Sequence, residues 1–208
     1  MSDSARPLGV ILAGGQSSRM GGGDKPLKTV GERSILSRVI ERLRPQCGGL
    51  ILNANGDPAR FAGFGLPVVA DSIDGFAGPL AGILAGLDWA AAHRPDTDDI
   101  VSLPADCPFL PADLVVRLNL ARRVAGQPLA AAASGGWHHP VIGLWPVAIR
   151  DRLRAALLAG ERKIDRFTPG IGIAHAEWPV RPYDPFFNAN RPEDIEEAEA
   201  LAERYPTA

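Results

Sequence analysis

A chain of 208 residues, 46% apolar and 22% charged, is long enough to build one domain with a proper core. Its formal net charge of −2 argues against a nucleic-acid binder, because such proteins are usually basic. The apolar runs are short and interrupted, so we expect no membrane span. The N-terminal residues lack the layout of a signal peptide, and the two cysteines are far apart in the sequence. We therefore expect a cytoplasmic protein with reduced thiols.

Short apolar runs and segments with helical periodicity alternate along the chain. The predicted strands lie near residues 8–12, 50–52, 66–70, 100–103, 129–133, 141–145 and 171–178. The predicted helices cover residues 35–43 and 149–157 and begin at Pro79, Pro111 and Pro192. We expect residues 161–172 to form a mobile surface excursion. The alternation predicts an α/β fold, a mostly parallel sheet with helices on both faces, in a single domain.

A glycine-rich loop follows the first predicted strand and reads LAGGQSSRMGGGDKPL over residues 12–27. It is not a Walker A motif, because Lys25 is followed by proline, and it does not match the dinucleotide fingerprint GxGxxG. The loop still combines exposed backbone N–H groups with two cations, Arg19 and Lys25. Arginine and lysine side chains suit a triphosphate, so we interpret this loop as a phosphate-binding loop.

Three further polar residues follow predicted strands, where ligands collect in open α/β sheets. They are Asn53, Asp71 and Asp106. From the residues alone, a local turn is the favoured interpretation of both Asn53 and Asp71. Asp106 fits two roles, a helix N-cap or a ligand of Mg²⁺, which prefers oxygen ligands and often uses one or two carboxylates.

The loop resembles the signature LAGGxxxRMGxxDK of nucleotidyltransferases with the nucleotide-diphospho-sugar transferase fold. Within that superfamily the chain is most similar to the molybdenum cofactor guanylyltransferases, which form one branch of the molybdopterin nucleotidyltransferase family. The likeness extends in order over nearly the whole chain, through these segments: Asn53-Ala54-Asn55, Asp71-Ser72, Gly78-Pro79-Leu80-Ala81-Gly82, Pro104-Ala105-Asp106-Cys107-Pro108-Phe109, His139-Pro140 and Phe187-Asn188-Ala189-Asn190-Arg191-Pro192-Glu193-Asp194.

The resemblance implies a Rossmann-like, three-layer α/β fold over residues 1–208. It also implies a nucleotide-binding half over about residues 1–110 and an acceptor-binding half over about 111–208. Arg19, Lys25 and Asp106 match catalytic positions, and Asp106 matches the metal ligand. The positions that match the nucleotide or acceptor contacts are Leu12, Ala13, Gly14, Gly15, Lys25, Asn53, Asp71, Gly82, Asn188 and Asn190.

The late motif carries one departure, since the family usually has threonine where this chain has Arg191. The loss of that hydroxyl removes a helix cap, a local effect. The resemblance implies that His139 shapes the substrate side of the site. A zinc site at His138 and His139 is disfavoured, because adjacent histidines project differently and a third ligand at useful spacing is missing from the sequence.

The implied reaction is the Mg²⁺-dependent transfer of GMP from GTP to the terminal phosphate of molybdopterin, with release of pyrophosphate. The implied partners are GTP, molybdopterin or molybdenum cofactor, and transiently the proteins that deliver or accept the cofactor. A cytidylyltransferase for the same pterin is one alternative, which Gly14, Gly15 and the Pro79-Leu80-Ala81-Gly82 segment disfavour. The others are a sugar-1-phosphate nucleotidyltransferase, for which the chain is short, and a GTP-binding adaptor without catalysis.

Overall fold

The structure, a computed structural model, describes residues 6–14, 25–73, 75, 78–189 and 191–205. The strands are β1 (Leu8–Leu12), β2 (Thr29–Val30), β3 (Arg33–Ser34), β4 (Gly49–Asn53), β5 (Val68–Val69), β6 (Asp99–Pro104), β7 (Leu129–Ser134), β8 (Trp137–Pro146) and β9 (Ile173–Trp178). The helices are α1 (Ile35–Leu43), α2 (Pro79–His93), α3 (Leu114–Ala125), α4 (Arg150–Leu158), α5 (Ile164–Phe167) and α6 (Pro192–Arg204).

Within the described residues, seven of these strands form one sheet in the order β5-β4-β1-β6-β8-β7-β9. The neighbours β5, β4, β1 and β6 are parallel to one another, and β7 is parallel to β9. Strand β8 is antiparallel to both of its neighbours, β6 and β7. The prediction of a mostly parallel sheet is therefore confirmed, and the reversed β8 follows from a tight hairpin after β7.

That hairpin turns at Gly135 and Gly136, which have φ angles of 56° and 82°. Ser134 pairs with Trp137 across the turn. A two-residue turn with positive φ at both positions matches the twist of the flanking strands, and glycine adopts it without a steric cost. The glycine pair thus reverses the chain after β7 and makes β8 antiparallel.

Two apolar layers cover the sheet, one on each face. Helices α1, α3 and α6 contribute the first layer together with Ile11 of β1. Helices α2, α4 and α5 contribute the second, together with Val10 of β1. Successive residues of a strand point to opposite faces, so a central strand covered on both sides is apolar throughout. This explains the uninterrupted apolar run of β1 and confirms the predicted three-layer arrangement.

Helix α2 lies close to the sheet where glycines face β1. A Cβ atom added at Gly86 would come within 2.6 Å of Val10 Cγ2. Proline occupies the first turn of the helix, where its missing N–H costs nothing. The sequence predicted this helix start, and the close approach brings the first turns of α2 against the end of β1.

The expectation of a mobile surface excursion at residues 161–172 is wrong. The segment contains α5 and a 3-10 turn over Thr168–Gly170. The side chains of Ile164 and Phe167 are only 5% and 8% exposed and join the apolar layer of α2 and α4. The two apolar residues are three positions apart, which suffices to bury one face of a single helical turn but is too short to register as a helical pattern.

Strands β2 and β3, which are absent from the predicted elements, pair with each other in a small antiparallel ribbon. Both cysteines are buried thiols, and burial raises the pKa of Cys47 to about 12. In the part of the chain that the structure describes, no helix has both the length and the apolar character needed to cross a membrane.

Replacing Phe167 with alanine tests the packing of α5. The change Phe167→Ala should lower the free energy of unfolding by about 3 kcal/mol, because it leaves a cavity in an apolar layer. The matched control is Leu158→Ala at the end of α4, where the side chain is 65% exposed. It should change stability by less than about 0.5 kcal/mol in urea unfolding. If both substitutions changed the free energy of unfolding by the same small amount, the burial of Phe167 in the apolar layer would be contradicted.

Candidate active site

The carboxyl end of β1 lies between the ends of β4 and β6. The amide of Ala13 donates to the carbonyl of Asn53 at 2.8 Å, and the amide of Ala105 donates to the carbonyl of Leu12 at 3.1 Å. The parallel ladders therefore continue beyond the strands. They place Asn53 on one side of the β1 end and Asp106, which follows Ala105, on the other.

Asn53 and Asp71, both predicted site residues, form a direct side-chain pair. Asn53 Nδ2 donates to Asp71 Oδ1 at 3.0 Å and to the carbonyl of Val69 at 3.1 Å. Asn53 is only 4% exposed, whereas Asp71 is half-buried. The carboxylate is thus held at the sheet edge by a buried amide, with part of its surface facing outward.

Asn55 supplies the other partners of Asp71, a role that the sequence analysis did not assign. Its Nδ2 donates to Asp71 Oδ2 at 2.8 Å, and its Oδ1 accepts from the amide of Asp71 at 2.9 Å. A carboxylate offers about four lone-pair sites, so both oxygens retain the capacity to accept further donors. The segment Asn53-Ala54-Asn55 carried the signal, since two amides two residues apart follow one strand.

Gly82 and Gly14 lie against the same amide side chain. A Cβ atom added at Gly82 would come within 2.2 Å of Asn53 Oδ1 and 2.8 Å of Leu12 Cδ2. A Cβ atom added at Gly14 would lie 3.8 Å from Asn53 Oδ1. The first distance excludes a side chain at Gly82 unless Asn53 moves, so glycine there is required by the close approach of α2.

Asp106 is half-buried in the turn after β6, and its carbonyl accepts a hydrogen bond from the amide of Ala189 at 3.2 Å. It does not cap helix α3, whose N-cap position is occupied by Asp113. The neighbouring Cys107 is 1% exposed, and its thiol donates to the carbonyl of Phe186 at 3.8 Å. Cys107 is thus a buried packing residue, while Asp106 remains a candidate metal ligand.

The Ala189 contact also brings Asn188 to the Asp106 side of the site. The structure therefore brings together the described backbone segment at Leu12–Gly14, Asn53, Asp71 and Gly82 on one side, and Asp106 and Asn188 on the other. Gly15, Arg19 and Asn190 lie outside the described residues, as does the side chain of Lys25. The Lys25 backbone begins a 3-10 turn that ends at Leu27. At Arg191, the carboxylate of Asp194 accepts from the backbone amide at 2.7 Å, which is the half of a capping box that does not need the missing hydroxyl.

The two adjacent histidines have different environments, as the sequence analysis expected. The ring of His138 stacks on that of His175, with centroids 3.7 Å apart. The ring of His139 instead lies 2.7 Å, Nε2 to Oγ, from Ser134. Among the described residues, no group of three or more His, Cys, Asp or Glu side chains could hold a metal ion.

Ser134, His139 and Asp184 form a polar cluster in which only His139 was singled out from the sequence. Ser134 Oγ lies within hydrogen-bond distance of both His139 Nε2 and, at 2.9 Å, Asp184 Oδ1. The available signals were the position of Ser134 at the end of β7 and that of Asp184 just before the late asparagine motif. Burial lowers the pKa of His139 below its usual 6.5, against the opposing effect of Asp184 and Glu177, and the nearby His138 lowers it further.

Comparisons with known proteins identify the family of this chain. A family described as MobA-like NTP transferase domain matches residues 9–175. A molybdenum cofactor guanylyltransferase of Rhodopseudomonas palustris (strain BisB5) is 63% identical over 98% of both chains. Another from strain HaA2 is 60% identical over 99% of this chain and 97% of its own. The chain belongs to the molybdenum cofactor guanylyltransferase family. It is therefore a nucleotidyltransferase.

A solved structure supports the fold assignment. The molybdopterin-guanine dinucleotide biosynthesis protein A of Archaeoglobus fulgidus superposes with a TM-score of 0.71. The match covers 95% of this chain and 99% of that one at 22% identity. At this identity the likeness concerns the fold alone, and it confirms the three-layer nucleotidyltransferase architecture that the motifs implied.

The Gly82 contact leads to a stability prediction. In Gly82→Ala the new methyl group displaces the Asn53 side chain, so the free energy of unfolding should fall by about 1–3 kcal/mol. Gly63→Ala is the matched control, because a Cβ atom at Gly63 meets nothing within 4 Å. Urea unfolding measures both. A Gly82→Ala protein as stable as the control would contradict the close approach.

The lowered pKa of His139 predicts an acid-dependent loss of stability. The unfolded chain binds a proton near pH 6.5, and the folded chain binds it only at lower pH. Stability from this group is therefore complete above pH 6.5 and falls as the pH drops through the folded pKa. Urea unfolding at pH 7.5 and pH 5 should show a smaller loss for His139→Gln than for the unsubstituted protein. A loss of equal size in both would refute the contribution of His139.

Proposed function

We propose that this protein transfers GMP from GTP to the terminal phosphate of molybdopterin, with release of pyrophosphate. The observation that carries the proposal is the arrangement around the end of β1, where Asp71 and Asp106 lie on opposite sides of one strand end. This arrangement occurs in a chain 63% identical to a protein named molybdenum cofactor guanylyltransferase. One carboxylate is thereby available for the base and the other for the phosphates.

Asp71 is the proposed reader of guanine. The Watson–Crick edge of guanine presents two neighbouring N–H donors, and a carboxylate accepts both. Cytosine presents one amino donor beside acceptors, so the same carboxylate would lose one hydrogen bond and face an acceptor instead. The bonds from Asn53 and Asn55 hold Asp71 in place for this task.

The phosphates are proposed to lie along the glycine-rich loop, with Arg19 and Lys25 neutralising their charge. Asp106 would hold Mg²⁺. A single carboxylate fits this ion, since Mg²⁺ is often bound by one or two carboxylates together with substrate phosphates. When bound, the ion would supply positive charge next to the α-phosphate. Leu12, Ala13, Gly14 and Gly15 are proposed to contact the nucleotide through their backbone.

The acceptor is proposed to bind over residues 111–208, with Asn188 and Asn190 near its phosphate. The nucleotide would then be held over residues 1–110, and the sheet continues across both halves through the β6–β8 pairing. Transient contacts with proteins that deliver or accept the cofactor are part of the same proposal.

In the proposed step an oxygen of the terminal phosphate of molybdopterin bonds to the α-phosphorus of GTP. The bond from that phosphorus to the β-phosphate oxygen breaks, and pyrophosphate leaves with the electron pair. A phosphate nucleophile is already ionised at neutral pH, so the step needs no general base. This chain's contribution is therefore to align the two substrates and to offset negative charge.

Pyrophosphate release tests the function directly. With Mg²⁺ and molybdopterin, GTP should support release and CTP should support at least tenfold less. Asp106→Asn should reduce the rate with GTP by at least about a hundredfold, because a neutral amide holds Mg²⁺ less well than a carboxylate and the positive charge next to the α-phosphate would be lost. Asp71→Asn should raise the KM for GTP and reduce the preference of the enzyme for GTP over CTP.

The control is Asp96→Asn, an exposed aspartate before the amino end of β6 and so at the far edge of the sheet. Its rate should match that of the unsubstituted enzyme. Preference for CTP would refute the assignment of the base. GTP binding without pyrophosphate release would favour the adaptor, and full activity of folded Asp106→Asn would refute the metal ligand.

A further inference from the structure

Residues 184–189 connect the acceptor half of the sheet to the candidate metal ligand. This segment precedes α6, has no helix or strand of its own, and begins in the polar cluster of Ser134, His139 and Asp184. Its other end reaches Asp106 through Ala189. Asn188, a proposed contact of the acceptor phosphate, lies between these two attachments.

The first attachment is a directed chain of hydrogen bonds. Ser134 Oγ donates to Asp184 Oδ1 at 2.9 Å. Since a hydroxyl has one proton, His139 Nε2, at 2.7 Å, must donate to the same oxygen. Asp184 Oδ1 also accepts from the amide of Phe186 at 2.9 Å, so these hydrogen bonds reach the backbone two residues before Asn188.

Packing supports this attachment. Ser134 is 1% exposed and Phe186 4% exposed, so water competes little for these bonds. The ring of Phe186 lies 5.0 Å from that of His139 and 5.2 Å from that of Trp178, measured between centroids. The segment is thus held by aromatic contacts as well as by the hydrogen bonds.

The second attachment is made by the backbone. Ala189, which is fully buried, donates from its amide to the carbonyl of Asp106 at 3.2 Å. The thiol of Cys107 donates to the carbonyl of Phe186 at 3.8 Å. Two neighbouring residues after β6 therefore hold two points of the segment, on either side of Asn188.

The trio does not have the arrangement of a hydrolytic Ser-His-Asp triad. In a triad the histidine lies between the other two residues and accepts the serine proton. Here the serine lies in the middle and gives its proton to the aspartate. Ser134 is also buried, so it is not presented to a substrate as a nucleophile.

We propose that His139, Ser134 and Asp184 are positioning residues. They hold Asn188 at a fixed position relative to Asp106, so that the acceptor phosphate is aligned for transfer. The proposal rests on the proposed function. The trio acts through the segment and not on the nucleotide, because the Asn53–Asp71 pair lies beyond β1, on the other side of β6. Small displacements of aligned groups lower the rate strongly, so loss of the trio should affect kcat.

The test compares kcat for pyrophosphate release and the Kd for GTP in variants of the full chain. Ser134→Ala and Asp184→Ala should each lower kcat about tenfold to a hundredfold. The Kd for GTP should remain within about twofold. Asp184→Asn keeps an acceptor oxygen for Ser134 and Phe186, so it should recover most of the activity. The double variant with Ser134→Ala and Asp184→Ala should have a kcat close to that of either single variant, because the two residues act as one unit.

Ser102→Ala is the matched control. Ser102 is fully buried, donates to the carbonyl of Val141 at 2.7 Å and accepts from Trp145 Nε1 at 2.8 Å, so its loss removes bonds of the same kind between β6 and β8. It should destabilise the protein while kcat stays within about twofold. Equal losses of kcat in Ser102→Ala and Ser134→Ala would show a structural role only and overturn the proposal, as would full activity of Asp184→Ala.

A second pair of variants covers the case in which a truncation does not fold. His139→Gln keeps a donor near the position of Nε2, whereas His139→Ala removes it. Higher kcat in the glutamine variant supports the positioning role, and equal kcat in the two overturns it. An unsubstituted enzyme that binds GTP and releases no pyrophosphate would instead refute the proposed function.

Discussion

The two backbone hydrogen bonds beyond the end of β1 are the constraint on which the candidate site depends. They continue the parallel ladder to Asn53 on one side and to Ala105 on the other. A parallel strand pairs along its whole length with both neighbours, so three strand ends meet at one edge of the sheet. Because this edge is made of backbone, the side chains that follow it occupy positions set by the sheet.

The close packing of α2 builds on that constraint. Without side chains at Gly82 and Gly86, the helix lies directly on β1 and on the Asn53 side chain. Interiors are close-packed, so even one added methyl group must displace a neighbour. The position of Asn53 is then transmitted to Asp71 by one hydrogen bond of 3.0 Å. Packing on one face of the sheet thereby determines where a carboxylate is presented at its edge.

In the acceptor half, a hairpin and side-chain hydrogen bonds position the site residues. The Gly135–Gly136 turn reverses the chain so that Ser134 and His139 lie on neighbouring strands. Hydrogen bonds from this hairpin and from the turn after β6 then hold residues 184–189, which form neither a helix nor a strand. Every polar side-chain atom that is deeply buried in the described residues has a hydrogen-bond partner. Buried polar groups that are satisfied in this way favour one arrangement over others.

Local patterns predicted most of the secondary structure. Periodicity and breakers located β1, β4, β6, β7, α1 and α2 closely, since each has a long apolar run or a clear capping residue. They failed at residues 161–172, where one helical turn offers too few residues for a period. They also missed β2 and β3, two-residue strands that leave no alternation to detect.

The sequence by itself determined the order of the elements, the family and the residue types available for chemistry. Strand-end residues such as Asn53, Asp71 and Asp106 could be singled out because ligands collect at that edge of a parallel sheet. Only the tertiary structure decided which of them touch: Asn55 with Asp71, Gly82 with Asn53, and Ser134 with Asp184. These contacts join residues far apart in the chain or on different elements. They depend on how helices pack and chains reverse, and no local spacing encodes that outcome.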